Sequence, residues 1–221
     1  MDEMRTKSED LLERQILRAE ENYRLLKEQK VRAISLIGSI GSGKTSLIEQ
    51  IIDRAAPCGI VVATIVGAAH GEDDVQRFRA RGILSVGIDS HGACHLEPKA
   101  INDALHSLPL AEIDLLFIEN VGCLRGPADY PLGGETEAVV IAVTEGDAVV
   151  HKNPKIFSQT DLVVITKVDL AAAVGVKTER IVNDYSQINP HGKIVLTDTR
   201  RRRGIDDLLR ALEIECANTQ W

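Results

Sequence analysis

The sequence predicts an α/β fold: a mostly parallel sheet of about seven strands with helices on both faces, preceded by one further helix. Three observations carry that prediction. Composition is the first: 44% of the 221 residues are hydrophobic but only 3% are aromatic, so the core must be built from Val, Ile, Leu and Ala, as buried parallel strands are. Rhythm is the second, because short apolar runs, continuous rather than alternating, are separated by segments of helical periodicity. The third is a glycine-rich loop lying between the first of those runs and the helical segment that follows it.

Taken in order, residues 1–30 contain no Gly or Pro, are densely charged, and place Leu11, Leu12, Ile16, Leu17, Leu25 and Leu26 at helical spacing. They predict one amphipathic helix, an arm that packs on its own domain or, as the alternative, binds a partner. Residues 31–221 read as one domain. Its candidate strands are VRAISLI, GIVVATIV, ILSVGI, IDLLFIE, AVVIAV, DLVVIT and KIVL. The segments 44–56, 72–81, 97–108, 154–160, 176–188 and 205–216 supply the crossover helices.

Charge and patterning exclude several classes. Lys and Arg total 26 against 33 Asp and Glu, a formal charge of -7 with a pI near 5.4, which argues against a surface that blankets nucleic acid. No apolar run approaches the roughly 18 residues that span a bilayer, and MDEMRTKSED carries no hydrophobic signal core, so a cytoplasmic protein with no membrane association is expected. The four cysteines, Cys58, Cys94, Cys123 and Cys216, are scattered rather than framed in pairs, which favours reduced thiols or metal ligands over a disulfide scaffold.

The strand ISLI runs into Gly38-Ser39-Ile40-Gly41-Ser42-Gly43-Lys44-Thr45 and then, through Ser46, into a helical segment, which is GxxxxGK[ST] in its required strand, loop and helix setting. Glycines let backbone N–H groups turn toward a phosphate, the helix adds its positive end, and Lys44 brings a full charge to the β and γ oxygens. Thr45 holds Mg²⁺ through its hydroxyl. A second strand ends in Thr166-Lys167-Val168-Asp169, close to the NKxD pattern of GTPases with Thr in place of Asn. Asp169 can accept from N1–H and the exocyclic amine of guanine, a donor pair adenine lacks, and the Lys167 stem can lie along the base; a surface turn capped by Asp169 is the plainer alternative. A third strand ends in Glu119-Asn120-Val121-Gly122, where many GTPases place Asp-x-x-Gly to hold Mg²⁺ through water.

These segments, with Cys94-His95 before Leu96, PADYPLG and VTEGD, occur in the order found in the HypB family, which the chain resembles from about Val31 to Leu212. That resemblance implies a nickel-handling P-loop GTPase of [NiFe] hydrogenase maturation, dimerising through its nucleotide state, with Lys44, Thr45 and Glu119 serving GTP hydrolysis, which is expected to be slow because the sequence offers no obvious catalytic base and no assignable arginine finger. It also implies that Lys152, in the segment after TEGD, reaches the partner's GTP. The partners it implies are a nickel accessory protein and the hydrogenase large subunit. For the metal, thiolate plus imidazole in His91-Gly-Ala-Cys94-His95 suits Ni²⁺ or Zn²⁺, although a buried thiol beside a hydrogen-bonded histidine is the ordinary reading of such a pair. The resemblance makes Cys94 and His95 ligands, completed across a symmetric dimer.

The sequence also departs from the family pattern. A second family cysteine falls at Gly126, so Cys123, or else His91, would have to replace it. An acid expected near Mg²⁺ is Ala68, leaving Asp73 or Asp74 or else a site built on Thr45 and Glu119. The base-closing loop reads Asp198-Thr199-Arg200, and Arg200 to Arg203 reads as a solvated turn before the final helix, with a partner patch as the alternative. No cysteine-rich or histidine-rich tract precedes the domain, so metal storage is not expected. The alternatives are a urease-accessory type of metallochaperone GTPase, a P-loop kinase acting on a small molecule, and a metal-binding switch without turnover.

Overall fold

The structure, a computed structural model, describes residues 2–68, 73–124 and 131–215. Seven strands, β1 (Arg32–Ile37), β2 (Val62–Ala68), β3 (Leu84–Asp89), β4 (Leu115–Glu119), β5 (Thr136–Ala142), β6 (Leu162–Thr166) and β7 (Lys193–Leu196), form one sheet in the order β3-β2-β4-β1-β5-β6-β7. All six pairings between neighbours are parallel. The central strands β4 and β6 are buried at every residue, which is why their sequences are continuously apolar, while the edge strands β3 and β7 mix buried and exposed positions.

The helices are α1 (Asp2–Glu28), α2 (Lys44–Ala55), α3 (Asp73–Arg79), α4 (Pro98–His106), α5 (Val149–Lys152), α6 (Pro154–Gln159), α7 (Thr178–Ile188) and α8 (Ile205–Ala211). Alternate residues along each strand feed opposite faces of the sheet. On one face α2, α3 and α8 bury Leu47, Ile51, Phe78 and Leu208 against Leu36, Phe117 and Val140. On the other, α1 and α4 cover Ile65, Leu116 and Ile118, and α5, α6 and α7 cover Val139, Val163 and Ile165. Each expected crossover helix is present, within a few residues of its expected ends. The short α5 had no expectation behind it, since four residues are too few for a helical period to register.

The C-terminal half of the N-terminal helix packs on the domain. Ala19, Asn22 and Leu26 are buried, and Asn22 Nδ2 donates to the carbonyls of Pro98 at 2.8 Å and Leu132 at 3.0 Å, whereas Leu11, Leu12, Ile16 and Leu17 remain exposed. One expectation is corrected: Cys58 is disulfide-bonded, while Cys94 and Cys123 keep their thiols. Scattered spacing does not forbid a pair, because the fold decides which Cα atoms come within bridging distance. Among the described residues no helix is long and apolar enough to cross a membrane.

The topology fixes where a ligand can sit. β1 lies between β4 and β5, and the connection from β4 to β5 passes to the other side of it, so the crevice at the carboxyl end of β1 is the switch point of the sheet.

Candidate functional site: a phosphate cradle beside a thiol-imidazole loop

At that switch point the β1 to α2 turn forms the cradle. Gly43, the residue before α2, has φ 98°, a left-handed conformation that favours glycine, and no side chain caps the helix or places an acid in its first turn. Gly38 is required for a different reason, since a Cβ there would lie 2.2 Å from the Val140 carbonyl oxygen on β5. The loop is therefore pressed onto the sheet and leads into an uncapped helix start. Gly41, Gly43, Lys44, Thr45 and Ser46 line a cavity of about 560 Å³, whereas Gly38 and Ser42 shape the loop from beneath.

Lys44 is 6% exposed, and its Nζ donates to the carbonyl oxygens of Gly38 at 3.0 Å and Ser39 at 3.3 Å. Burial lowers its pKa, opposed by the charges of Glu119, Asp74 and Glu145. The ammonium is thus held at the mouth of the loop by backbone carbonyls, which an anionic phosphate can outcompete.

Thr45 Oγ1 donates to Glu119 Oε1 at 2.8 Å, joining the first turn of α2 to the end of β4. Glu119 is 4% exposed, and among the described residues its Oε2 has no hydrogen-bond partner. Burial pushes its carboxyl up to about 7, against the pull of Lys44 and the Thr45 hydroxyl. A buried carboxylate with one oxygen unmet beside a hydroxyl is an oxygen donor set suited to a hard cation, so these residues fit Mg²⁺. Asp73 and Asp74 also border the cavity, although Asp74 is paired at 3.1 Å with Arg77, which in turn holds Glu49 at 2.7 Å. Ala68 ends β2, and the stretch 69–72 lies outside the described residues.

The expected base-reading residues divide their work. Thr166 is buried, its hydroxyl donating to Ser42 O at 2.5 Å and Ile141 O at 3.3 Å, and Lys167 Nζ donates to Gly41 O at 2.6 Å. Both residues brace the phosphate loop, and of the two only Lys167 borders the cavity. The Thr166 hydroxyl has a single donor, and it is directed at backbone beneath the loop. Asp169 is paired at 3.2 Å with Arg201, which also donates to Asp198 at 2.9 Å. The stretch read as a solvated arginine turn is an exposed turn, closed by an antiparallel bridge between Asp198 and Arg203, from which Arg201 reaches the Asp169 carboxylate. Although burial opposes it, the Arg201 side chain and backbone hold Asp198 below the usual carboxylate range.

Glu145 of the VTEGD segment also braces the loop, accepting from Ser39 Oγ at 2.6 Å and from Ala142 N at 2.8 Å. Lys152 is exposed at the end of α5, away from the cavity lining.

The thiol-imidazole residues occupy the β3 to α4 loop. His91 has φ 50° and receives only local support, its N–H donating to Asp89 Oδ1 at 2.7 Å, and its side chain is 87% exposed. Cys94 is exposed, His95 half-buried, and Leu96 fully buried. Cys123 is half-buried on the loop after β4, and Gly126 lies outside the described residues. Among the described residues no three His, Cys, Asp or Glu side chains gather into a metal site. Cys94 and His95 are adjacent in the chain, but Cys123 does not complete a cluster with them within one protomer.

Asn120, Glu145 and Arg201 had no assigned role in the sequence reading. A polar residue directly after the magnesium-side acid, and an arginine beside an aspartate in the base-closing loop, were the available signals.

Comparison with known proteins agrees with this geometry. Residues 32–196 match the family model described as CobW/HypB/UreG, nucleotide-binding domain. The chain is 40% identical over 206 residues to a probable hydrogenase maturation factor HypB of Methanocaldococcus jannaschii, covering 93% of each chain. A crystal structure of hydrogenase maturation factor HypB from Archaeoglobus fulgidus superposes with TM-score 0.84 at 38% identity, covering 90% of this chain and 97% of that one. HypB from Helicobacter pylori in complex with nickel also gives TM-score 0.84, at 27% identity, covering 94% and 100%.

Proposed function

This chain belongs to the CobW/HypB/UreG nucleotide-binding family and, within it, to the HypB hydrogenase maturation factors; from that premise we propose that it binds GTP with Mg²⁺, hydrolyses it slowly, and uses the nucleotide state to govern nickel delivery to [NiFe] hydrogenase. The observation that carries the proposal is the Thr45 to Glu119 hydrogen bond under an uncapped helix start, with the second Glu119 oxygen unmet. It supports a site for a phosphate chain and its cation, and Asp169 on the neighbouring loop supports guanine as the base.

The chain's own groups act as follows. Backbone N–H groups of the loop and Lys44 orient the β and γ phosphates. Thr45 and ionised Glu119 hold Mg²⁺, which neutralises charge on the phosphates when bound. Arg77 is the arginine bordering the cavity, and its pairing with Glu49 and Asp74 withholds it from phosphate. Hydrolysis is therefore slow in one chain and depends on a second protomer, whose Lys152 supplies the missing charge.

Nickel is the cargo. Cys94 and His95 from each of two protomers, with Cys123 flanking them, offer thiolate and imidazole to Ni²⁺, and Zn²⁺ competes for the same donors. The nickel carried by the Helicobacter pylori relative supports the assignment. GTP favours the dimer that assembles this site; hydrolysis releases the metal to a nickel accessory protein or the hydrogenase large subunit.

The test is nucleotide preference and turnover in one experiment: GDP and ADP affinity, then phosphate release from GTP and ATP, each with Mg²⁺. Guanine preference of at least about tenfold with measurable GTP turnover supports the reading. ATP preference with transfer to an acceptor would replace it with a small-molecule kinase.

A further inference from the structure

We propose that Asn120 is the positioning residue that carries the nucleotide state to the Cys94-His95 segment, an inference that rests on the reading of this chain as a nucleotide-gated nickel carrier. Asn120 follows the magnesium-side Glu119 and is 2% exposed. Its backbone N–H donates to Leu36 O on β1 at 2.9 Å, so its main chain is fixed to the strand that leads into the phosphate loop. Its Oδ1 accepts two N–H groups, from Val121 and from Leu96, each at 2.9 Å.

Leu96 is the residue immediately after Cys94-His95. Its side chain is buried and lies against Gly67 at the end of β2, so closely that a Cβ on Gly67 would stand 2.9 Å from it. Gly67 and Asn120 both border the nucleotide cavity. The thiol-imidazole segment is therefore pinned, through Leu96, at two points on the rim of the nucleotide site. In its outer part Cys94 and His91 are exposed. The direction in which Cys94 and His95 leave the domain is set at Leu96.

One oxygen serving two amides makes the device two-state. While Asn120 Oδ1 holds both Val121 N–H and Leu96 N–H, the loop after β4 and the segment before α4 move as one body. A γ-phosphate engaging the Val121 or Gly122 N–H turns Val121 N–H away from the fork and shifts the carboxamide, and Leu96 follows or is released. Packing of Leu96 on Gly67 alone could not sense that event, because it is made with β2 and not with the loop that meets the γ-phosphate.

The experiment measures Ni²⁺ affinity of the full chain by chelator competition at saturating GDP and at a saturating non-hydrolysable GTP analogue, so that altered nucleotide affinity does not enter the ratio. Wild type is expected to show a ratio on the order of tenfold, within the usual range for coupled sites. Asn120→Ala brings the ratio to within about twofold of unity, and Asn120→Asp, which keeps an acceptor for both amides, restores it. In unaltered protein, amide exchange at Leu96 differs between the two nucleotide states. An Asn120→Ala chain that keeps the wild-type ratio, or a Leu96 amide indifferent to nucleotide in a wild type whose nickel affinity does respond, overturns the proposal. A wild-type ratio of one overturns the nucleotide-gated reading on which it stands, a separate result.

Discussion

The phosphate cradle and the thiol-imidazole loop are linked through Asn120, which borders the cavity and holds Leu96, yet they are built in opposite ways. In the cradle every predicted element is braced from behind: Thr166 and Lys167 hold the loop's carbonyls, Glu145 holds Ser39, and Glu119 holds Thr45. In the thiol-imidazole loop Leu96 is buried and held by Asn120, while Cys94 and His91 are exposed and no group of three metal-ligating side chains forms among the described residues. A phosphate site assembled from backbone needs rigidity before its ligand arrives. A cargo site that must also release its metal can be left half-made and completed by another copy. The difference teaches which function one chain performs alone and which it shares.

Substitutions that act on one region and spare the other sharpen the contrast. The largest effect is expected at the cradle: Lys44→Ala should weaken GDP binding at least about a hundredfold by calorimetry, while single-chain nickel binding persists, because Lys44 charge and position serve phosphate alone. Cys94→Ala should lower Ni²⁺ affinity at least about tenfold in chelator competition and leave GDP affinity unchanged. An effect of either substitution on the other ligand in GDP would break the comparison.

Glu119 gives an intermediate effect with a defined sign. Mg²⁺ requires its carboxylate, whose pKa is raised to about 7, so cation affinity in the nucleotide complex should rise by up to about tenfold per pH unit below 7 and level off above it. Glu119→Gln should weaken Mg²⁺ and flatten that profile. In ligand-free protein the raised pKa makes protonated Glu119 stabilising, and this contribution is fully present below the ordinary carboxyl value of 4.5 and lost as pH rises through about 7. Glu137, raised to about 7 by burial and then by Asp161, adds the same sign, so urea unfolding should lose pH dependence in this window only when both residues are replaced by Gln.

The smallest effect belongs to Arg201. Its pairing with Asp169 competes with guanine for the same carboxylate, but the arginine is 57% exposed, so Arg201→Ala should raise GDP affinity only about two- to threefold, more at low salt than at high. Lower affinity would show that Arg201 supports the base instead.

Much of this was legible in the sequence, for physical reasons that differ by region. Continuous apolar runs such as LVVIT and LLFIE read as strands because burial on both faces demands them. The phosphate loop was legible because Gly38, Gly43 and Lys44 are each forced by local geometry. The role of Thr166 was not, because whether its hydroxyl meets ligand or the loop's backbone depends on a strand 124 residues away in sequence from Ser42. Arg201 and Asn120 escaped for the same reason: their partners, Asp169 and Leu96, are brought to them only by the topology of the sheet. The fate of Cys58 was likewise a matter of the fold rather than of spacing.

The central claim is that the nickel site is complete only in a nucleotide-bound pair of chains. Sedimentation of the protein with GDP and with a non-hydrolysable GTP analogue, each with and without one equivalent of Ni²⁺, tests it most directly when repeated on Cys94→Ala. A dimer favoured by the GTP analogue and strengthened by Ni²⁺, with the nickel effect absent in Cys94→Ala, is the expected result. A monomer under every condition, with nucleotide and nickel both bound, would contradict it.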